Sequence, residues 1–224
     1  MAPYTIVTAE QRSPEWFAAR CGRLTSSCAD ILFKEGRKKG EPSTQRRDLR
    51  LRLALERLTG TSQDDEGFVS KDMQRGIDVE PDARLAYEAA TGVLVEQVGF
   101  LSHLALPIGS SPDGVADATE DGIEGIVELK CPKSTTHIGY LKTKAIPEEY
   151  LPQIRHHVWV SGAHWCDFVS YDDRMPEHLR LVVYHITREA LDIPAYERAA
   201  MAFLAEVDAE VASLRALRPE QAVA

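Results

Sequence analysis

Asp113, Glu128 and Lys130 lie in one stretch, GSSPDGVADATEDGIEGIVELKCP, residues 109–132. Their types are those that handle water and phosphate. Charges at the end of a Val/Ile run cost free energy unless they are paired or put to use. With the acidic turn TEDG centred between Glu120 and Asp121, opposed residues of a regular antiparallel hairpin sum to 120 + 121 = 241. Asp113 then stands across from Glu128, and Lys130 lies beside Glu128 because strand side chains repeat every second residue. Carboxylates whose β-carbons are about 5 Å apart repel unless positive charge sits between them. A divalent cation answers that need. Two carboxylates, a backbone carbonyl such as that of Leu129, and waters form the oxygen set that magnesium prefers. Lys130 cannot be a ligand, but it can orient or deprotonate a water or stabilise charge growing on a phosphate. A solvent-exposed hairpin end with an ordinary cross-strand ion pair uses the same residues, and both readings stand at this point.

The flanking segments must deliver these groups. RSPEWFAARCG reads as a helix capped by Ser13, with Pro14 in its first turn and Gly22 at its stop. LTSSCADILF reads as a second helix, with Thr25, Ser26 or Ser27 as its cap. The Lys-rich loop KEGRKKGEPS leads into STQRRDLRLRLALERLTG, whose helical period places Leu49, Leu53 and Leu58 opposite an arginine-rich side. SQDDEG is an exposed loop. Residues 70–91 form a helix that Pro81 kinks or restarts and Gly92 ends. VLVEQVGFLSHL, GVADAT and GIVELK are strands. Residues 134–162 are helical with a break at Pro147, and HWCDFVSYD and RLVVYHIT are further strands. Residues 188–215 form a long final helix, and QAVA is a frayed end. The expected class is α/β (α+β mixed), a central mixed sheet with an antiparallel hairpin and flanking helices.

At 224 residues the chain is about 1.5 typical domains. One domain is expected over 1–224, with a helical part at 1–69, a core at 70–187 and a C-terminal helix at 188–224. Apolar residues make up 44% and charged ones 27%, which excludes disordered and fibrous classes. No apolar run spans a bilayer and MAPYTIVTAEQRSPEW has no secretion signal, so no membrane association and a cytoplasmic location are expected. Cys21, Cys28, Cys131 and Cys166 show no CxxC pattern and read as reduced thiols. His156 and His157 are adjacent, point apart, and read as surface or core residues. The net charge of −9 divides into +5 over residues 1–60 (12 Lys/Arg against 7 Asp/Glu) and −14 over the rest. KEGRKKGE and Arg46, Arg47, Arg50 and Arg52 suit either backbone contacts to nucleic acid or a solvated helix face.

Six ordered segments, SPEWFAARCGRLTSS, RGIDVEPDARLAYEAATG, GSSPDG, VELKCP, YLPQIRHHVWVSG and YDDRM, span residues 13–175. Together they resemble the lambda-exonuclease or YqaJ-type viral recombinase family of the restriction-endonuclease-like superfamily, whose signature is PD followed by E-x-K. Departures from its pattern cluster at residues 34–69 and in the acidic C-terminal region. The resemblance implies a restriction-endonuclease-like core. It also implies that Asp113, Glu128 and the Leu129 carbonyl bind magnesium, with manganese as a substitute. Lys130 is then the catalytic lysine and Glu80 an acid leaning into the site. Arg20, Ser27, Ser111 and Gln153 match contacts to a 5′ phosphate, and Tyr150 steadies the helix or touches DNA. The implied activity is 5′-to-3′ exonuclease action on double-stranded DNA ends, leaving a 3′ strand for recombination. A trimeric ring and a single-strand annealing partner follow from the same resemblance. A structure-specific endonuclease and a non-catalytic DNA-end binding module are the competing readings.

Overall fold

The computed structural model describes residues 2–38, 40–63, 70–119 and 122–217. Its central hairpin joins β6 (Gly114–Thr119) to β7 (Gly122–Lys130). Gly114 faces Val127, Val115 faces Ile126, and Thr119 faces Gly122, so the pairs sum to 241 as the centred turn requires. Glu120 and Asp121, at the turn itself, lie outside the described residues. Asp117 takes a φ of +48°. Alternation along β7 sends Ile126 into the main core and Val127 and Leu129 into a smaller one on the other face. Gly114 follows Asp113 of necessity, because a β-carbon there would strike the Val95 side chain.

Five strands complete this sheet in the order β3 (Val95–Glu96), β6, β7, β8 (Trp165–Tyr171) and β9 (Leu181–Thr187). β8 runs parallel to β7 and the other pairs are antiparallel. The parallel step is made by a helical crossover, α4 (Ser134–Thr143) and α5 (Leu151–Ser161), with a break over residues 144–147 that ends at Pro147, where the sequence suggests one. The mixed sheet is as expected. A second sheet, ordered β1 (Tyr4–Val7), β4 (Phe100–His103), β5 (Ile108–Ser110), β2 (Leu24–Thr25), is an addition to the reading of the sequence.

The first helix, α1 (Pro14–Arg20), is capped by Ser13. LTSSCADILF differs from expectation: Ser26–Phe33 is a 3-10 helix, and Thr25 makes no cap because its hydroxyl turns to Arg20. α2 (Thr44–Thr59) buries Leu49 and Leu53, while Leu58 stays exposed. The 70–91 helix is one continuous α3 (Lys71–Thr91) running through Pro81, and Gly92 ends it in the left-handed conformation. The last helix starts later than expected: a 3-10 turn at Arg188–Leu191 precedes α6 (Ile193–Ala216). The QAVA end and most of SQDDEG lie outside the described residues.

The arginines of α2 meet carboxylates of α6. Arg46 binds Glu206 through two bonds of 2.7 Å, and Arg50 stands 3.4 Å from Glu210. Arg47 pairs with Asp48, and Arg52 points its guanidinium at the Cys28 sulfur. Much of the basic side of α2 therefore serves helix packing. On the opposite face of the central sheet, α3 packs Tyr87 against Val127, Leu129 and Val169.

Candidate active site

Two clusters of polar side chains are joined by the segment 110–113. The first gathers at the end of the hairpin. Asp113, one residue before β6, accepts the Leu129 backbone N–H on Oδ2 at 2.7 Å. A strand residue directs its N–H and C=O to the same edge, so the Leu129 carbonyl also faces Asp113. Glu128 points to the α5 side and is fully buried. Its Oε1 accepts hydrogen bonds from Lys130 Nζ and, at 2.6 Å, from Gln153 Nε2. Lys130 Nζ also stands 3.9 Å from Asp113 Oδ2, so the ammonium lies near both carboxylates. Tyr150 places its ring 5.4 Å from that ammonium.

The electrostatics follow from this crowding. Burial, and then repulsion from Glu128, pushes the Asp113 carboxyl well above the usual range. Burial pushes Glu128 the same way, but Lys130 and His157 outweigh it and hold the group low. For Lys130, burial disfavours the charge, yet the two carboxylates prevail and raise its pKa.

Glu80 comes from α3 on the other face of the sheet. Its Oε1 accepts a bond of 3.1 Å from Arg84, one turn on. With Asp113, Arg84, Ile77 and Pro81 it lines an open cleft of about 570 Å³, whose other wall is the 8–12 segment and Gln97–Gly99. Proline lacks an N–H and cannot bond the carbonyl four residues back, so the interrupted turn of α3 is the one that lines the cleft.

The second cluster centres on Arg20, which is buried. Its guanidinium stacks 4.0 Å from the Trp16 ring and donates to Ser27 Oγ at 3.2 Å and Thr25 Oγ1 at 3.4 Å. Burial lowers its pKa to about 10, which leaves it charged at neutral pH. Trp16 Nε1 donates to Ser111 Oγ at 3.0 Å, which ties Arg20 to the segment carrying Asp113. Gln153 sits with Glu128 in the first cluster, while Arg20, Ser27 and Ser111 form the second.

Two contributors are not singled out by the sequence reading. Trp16 stands four residues before Arg20 and His157 four after Gln153, the spacing of neighbours on a helix face. His157 places Nε2 2.9 Å from Glu128 Oε2 and Nδ1 2.6 Å from Ser110 Oγ. Both His156 and His157 are buried, so the core alternative for them is the one realised.

The donor set suits a hard divalent cation. It is all oxygen, and Glu128 Oε2 is buried with the His157 imidazole, 2.9 Å away, as its neighbour. Among the described residues no three His, Cys, Asp or Glu side chains gather as a metal cage. The protein thus offers two carboxylates and a carbonyl, leaving the remaining positions to water and phosphate, as magnesium sites do.

Two mixed sheets flanked by helices, with an Asp before one hairpin strand and Glu-Leu-Lys ending the next, define a protein of the restriction-endonuclease-like fold. The chain belongs to the YqaJ-like viral recombinase domain family, whose model matches residues 15–164. It is similar to the alkaline exonuclease LHK-Exo of Laribacter hongkongensis, at 36% identity over 91% of this chain and 96% of that one, with a TM-score of 0.77. The structure of LHK-Exo in complex with dAMP matches at 38% identity, the same coverage, and a TM-score of 0.76. A phage-related exonuclease from Haemophilus somnus 129PT shares the fold at 16% identity, over 86% of this chain and 96% of that one, with a TM-score of 0.59. No curated protein sequence matches significantly. Among the described residues no helix is long and apolar enough to cross a membrane.

Proposed function

We propose that the protein is a magnesium-dependent exonuclease that degrades one strand of duplex DNA from its 5′ end and leaves a 3′ single strand for recombination. The observation carrying this reading is the joining of two chemistries by residues 110–113: the Asp113, Glu128 and Lys130 centre and the Arg20, Ser27 and Ser111 cluster. Similarity to an alkaline exonuclease that has been crystallised with dAMP supports it. Asp113, Glu128 and the Leu129 carbonyl would hold magnesium, with manganese as a substitute. When bound, the ion supplies positive charge to shield the scissile phosphate and promote attack by water. Lys130 orients the attacking water and opposes charge growing on the phosphate. Glu80 faces the same space from α3. Arg20 offers a planar fork to a terminal phosphate, Ser27 and Ser111 add hydroxyl donors, and Trp16 keeps the fork in place. Gln153 and Tyr150 act at the junction, the first on Glu128 and the second beside Lys130.

Family membership also motivates reading residues 1–224 as one nuclease domain, assembled as a three-subunit ring on DNA, acting in the cytoplasm with a single-strand annealing protein. The test of the central reading is digestion of linear duplex labelled at one 5′ or one 3′ end. Label release from the 5′ end first, dependent on magnesium and absent in Asp113→Ala, is expected. Cutting of closed circles would instead assign an endonuclease, and end binding without cutting a binding module. Light scattering checks the trimer.

A further inference from the structure

We infer that His157 is a positioning residue for the proposed cation site, fixing the Glu128 carboxylate from behind through a relay that begins at Ser110. The inference rests on the metal-dependent reading above and adds a group to it. Ser110, His157 and Glu128 form a continuous line, with 2.6 Å from Ser110 Oγ to Nδ1 and 2.9 Å from Nε2 to Glu128 Oε2. The line has the composition of a hydrolytic triad. It cannot work as one, because Ser110, His157 and Glu128 are each 0% exposed and no substrate reaches the serine oxygen.

What the line does accomplish is orientation. Gln153 and His157, one helical turn apart on α5, take opposite oxygens of Glu128: the amide donates to Oε1 at 2.6 Å and the imidazole faces Oε2. A carboxylate accepts only, so the hydrogen of His157 belongs on Nε2, and Ser110 engages the other nitrogen. The side chains of Asp113 and Lys130 are 20% and 23% exposed, against 1% for Glu128, so a cation enters from the Asp113 side and His157 closes the other. Ser110 is also adjacent to Ser111 and three residues from Asp113. The relay therefore fixes Glu128 against the same strand end that carries Asp113 and the contact to Trp16. Groups that orient a metal ligand typically change affinity 10- to 100-fold when removed.

The experiment measures Mn²⁺ binding to the full-length protein, by the electron paramagnetic resonance signal of the free ion, in the absence of DNA. His157→Ala should raise the Mn²⁺ Kd about 10-fold or more, and His157→Gln, which retains an N–H donor, should recover most of that loss. Ser110→Ala, which removes only a hydroxyl, should weaken binding about three-fold or more, and covers the case in which His157→Ala does not fold. Binding of a 5′-phosphorylated duplex end without metal should be unchanged in all three. A Kd within two-fold of wild type in Ser110→Ala and in every folded His157 variant overturns the proposal. Failure of wild type to bind Mn²⁺, or unchanged binding by Glu128→Gln, overturns the metal-dependent reading itself.

Discussion

An ammonium near two carboxylates, one buried and one partly exposed, as Lys130 lies near Glu128 and Asp113, has two separable effects: it offsets their repulsion and it is a charged donor at the cleft. Replacing Lys130 with Met keeps the stem and removes the charge. Turnover of linear duplex should fall about 10²- to 10⁴-fold, with end binding retained, as measured by single-turnover digestion beside a binding assay. Arg20 makes a different prediction, because its fork is stacked and preset by Trp16, Thr25 and Ser27. Arg20→Lys keeps the charge and loses the planar geometry, so affinity for 5′-phosphorylated ends should drop about 10-fold or more while 5′-hydroxyl ends are unaffected. Equal loss on both kinds of end would remove Arg20 from phosphate recognition. Arg20 was legible only through the family resemblance, since by itself it reads as a helix-surface residue; Lys130 was legible because type and spacing announce it, a strand period of two and a short acidic turn setting the 241 register. His157 was not, since a histidine among apolar neighbours reads the same whether it faces a carboxylate or a carbonyl, and only the packing of α5 on β7 decides.

The helices have their own positioning devices. Tyr87 of α3 donates to Asp167 Oδ2 at 2.6 Å, while His185 Nδ1 lies 2.6 Å from Oδ1. Tyr87 is seven residues after Glu80, about two turns along one face, so the bond that seats α3 on the sheet also sets where Glu80 stands. Tyr87→Phe leaves a buried carboxylate oxygen short of a donor and should cost about 1.5–3 kcal/mol in urea unfolding. A loss below about 0.5 kcal/mol would mean that apolar packing alone holds the helix. The α2 and α6 arginine and carboxylate pairs should matter less. Glu206 is 37% exposed, and a double-mutant cycle of Arg46→Ala with Glu206→Ala should return about 1 kcal/mol or less. At this scale the sequence showed the long elements best. Strands β1, β2 and β5 hold two to four residues each, too few for alternation to show, and VLVEQVGFLSHL, read as one strand, divides into β3 of the central sheet and β4 of the second, so the second sheet was hidden. Pro81 misled in the other direction, since the packing of the helix carries it through a residue that propensity alone would use as a break.

For the whole molecule, the charge asymmetry of the sequence is partly an internal matter: the basic N-terminal region and the acidic final helix meet across the α2 and α6 contact. Stability against acid depends on a different group. His156 is fully buried, with Nε2 donating to the Gly109 carbonyl at 3.0 Å and Nδ1 accepting from the Tyr196 hydroxyl at 2.7 Å. Both nitrogens are committed to the neutral ring. Burial first, then the neighbouring His157, lowers its pKa from 6.5 to about 3. A depressed native pKa in a base means that the unfolded chain binds a proton the native chain refuses. The stability contributed by the neutral ring is therefore complete above the unfolded value and is lost as pH falls from about 6.5 toward 3. The slope is about 1.4 kcal/mol per pH unit, so moving from pH 7.5 to 5.5 should cost roughly 1.4 kcal/mol from this residue. In a chain of this size that corresponds to about 3–6 °C in Tm. His156→Gln, which titrates nowhere in that range, should be less stable at pH 7.5 but lose correspondingly less on acidification. Parallel pH dependences of the two proteins in thermal unfolding would show that the acid sensitivity arises at other groups.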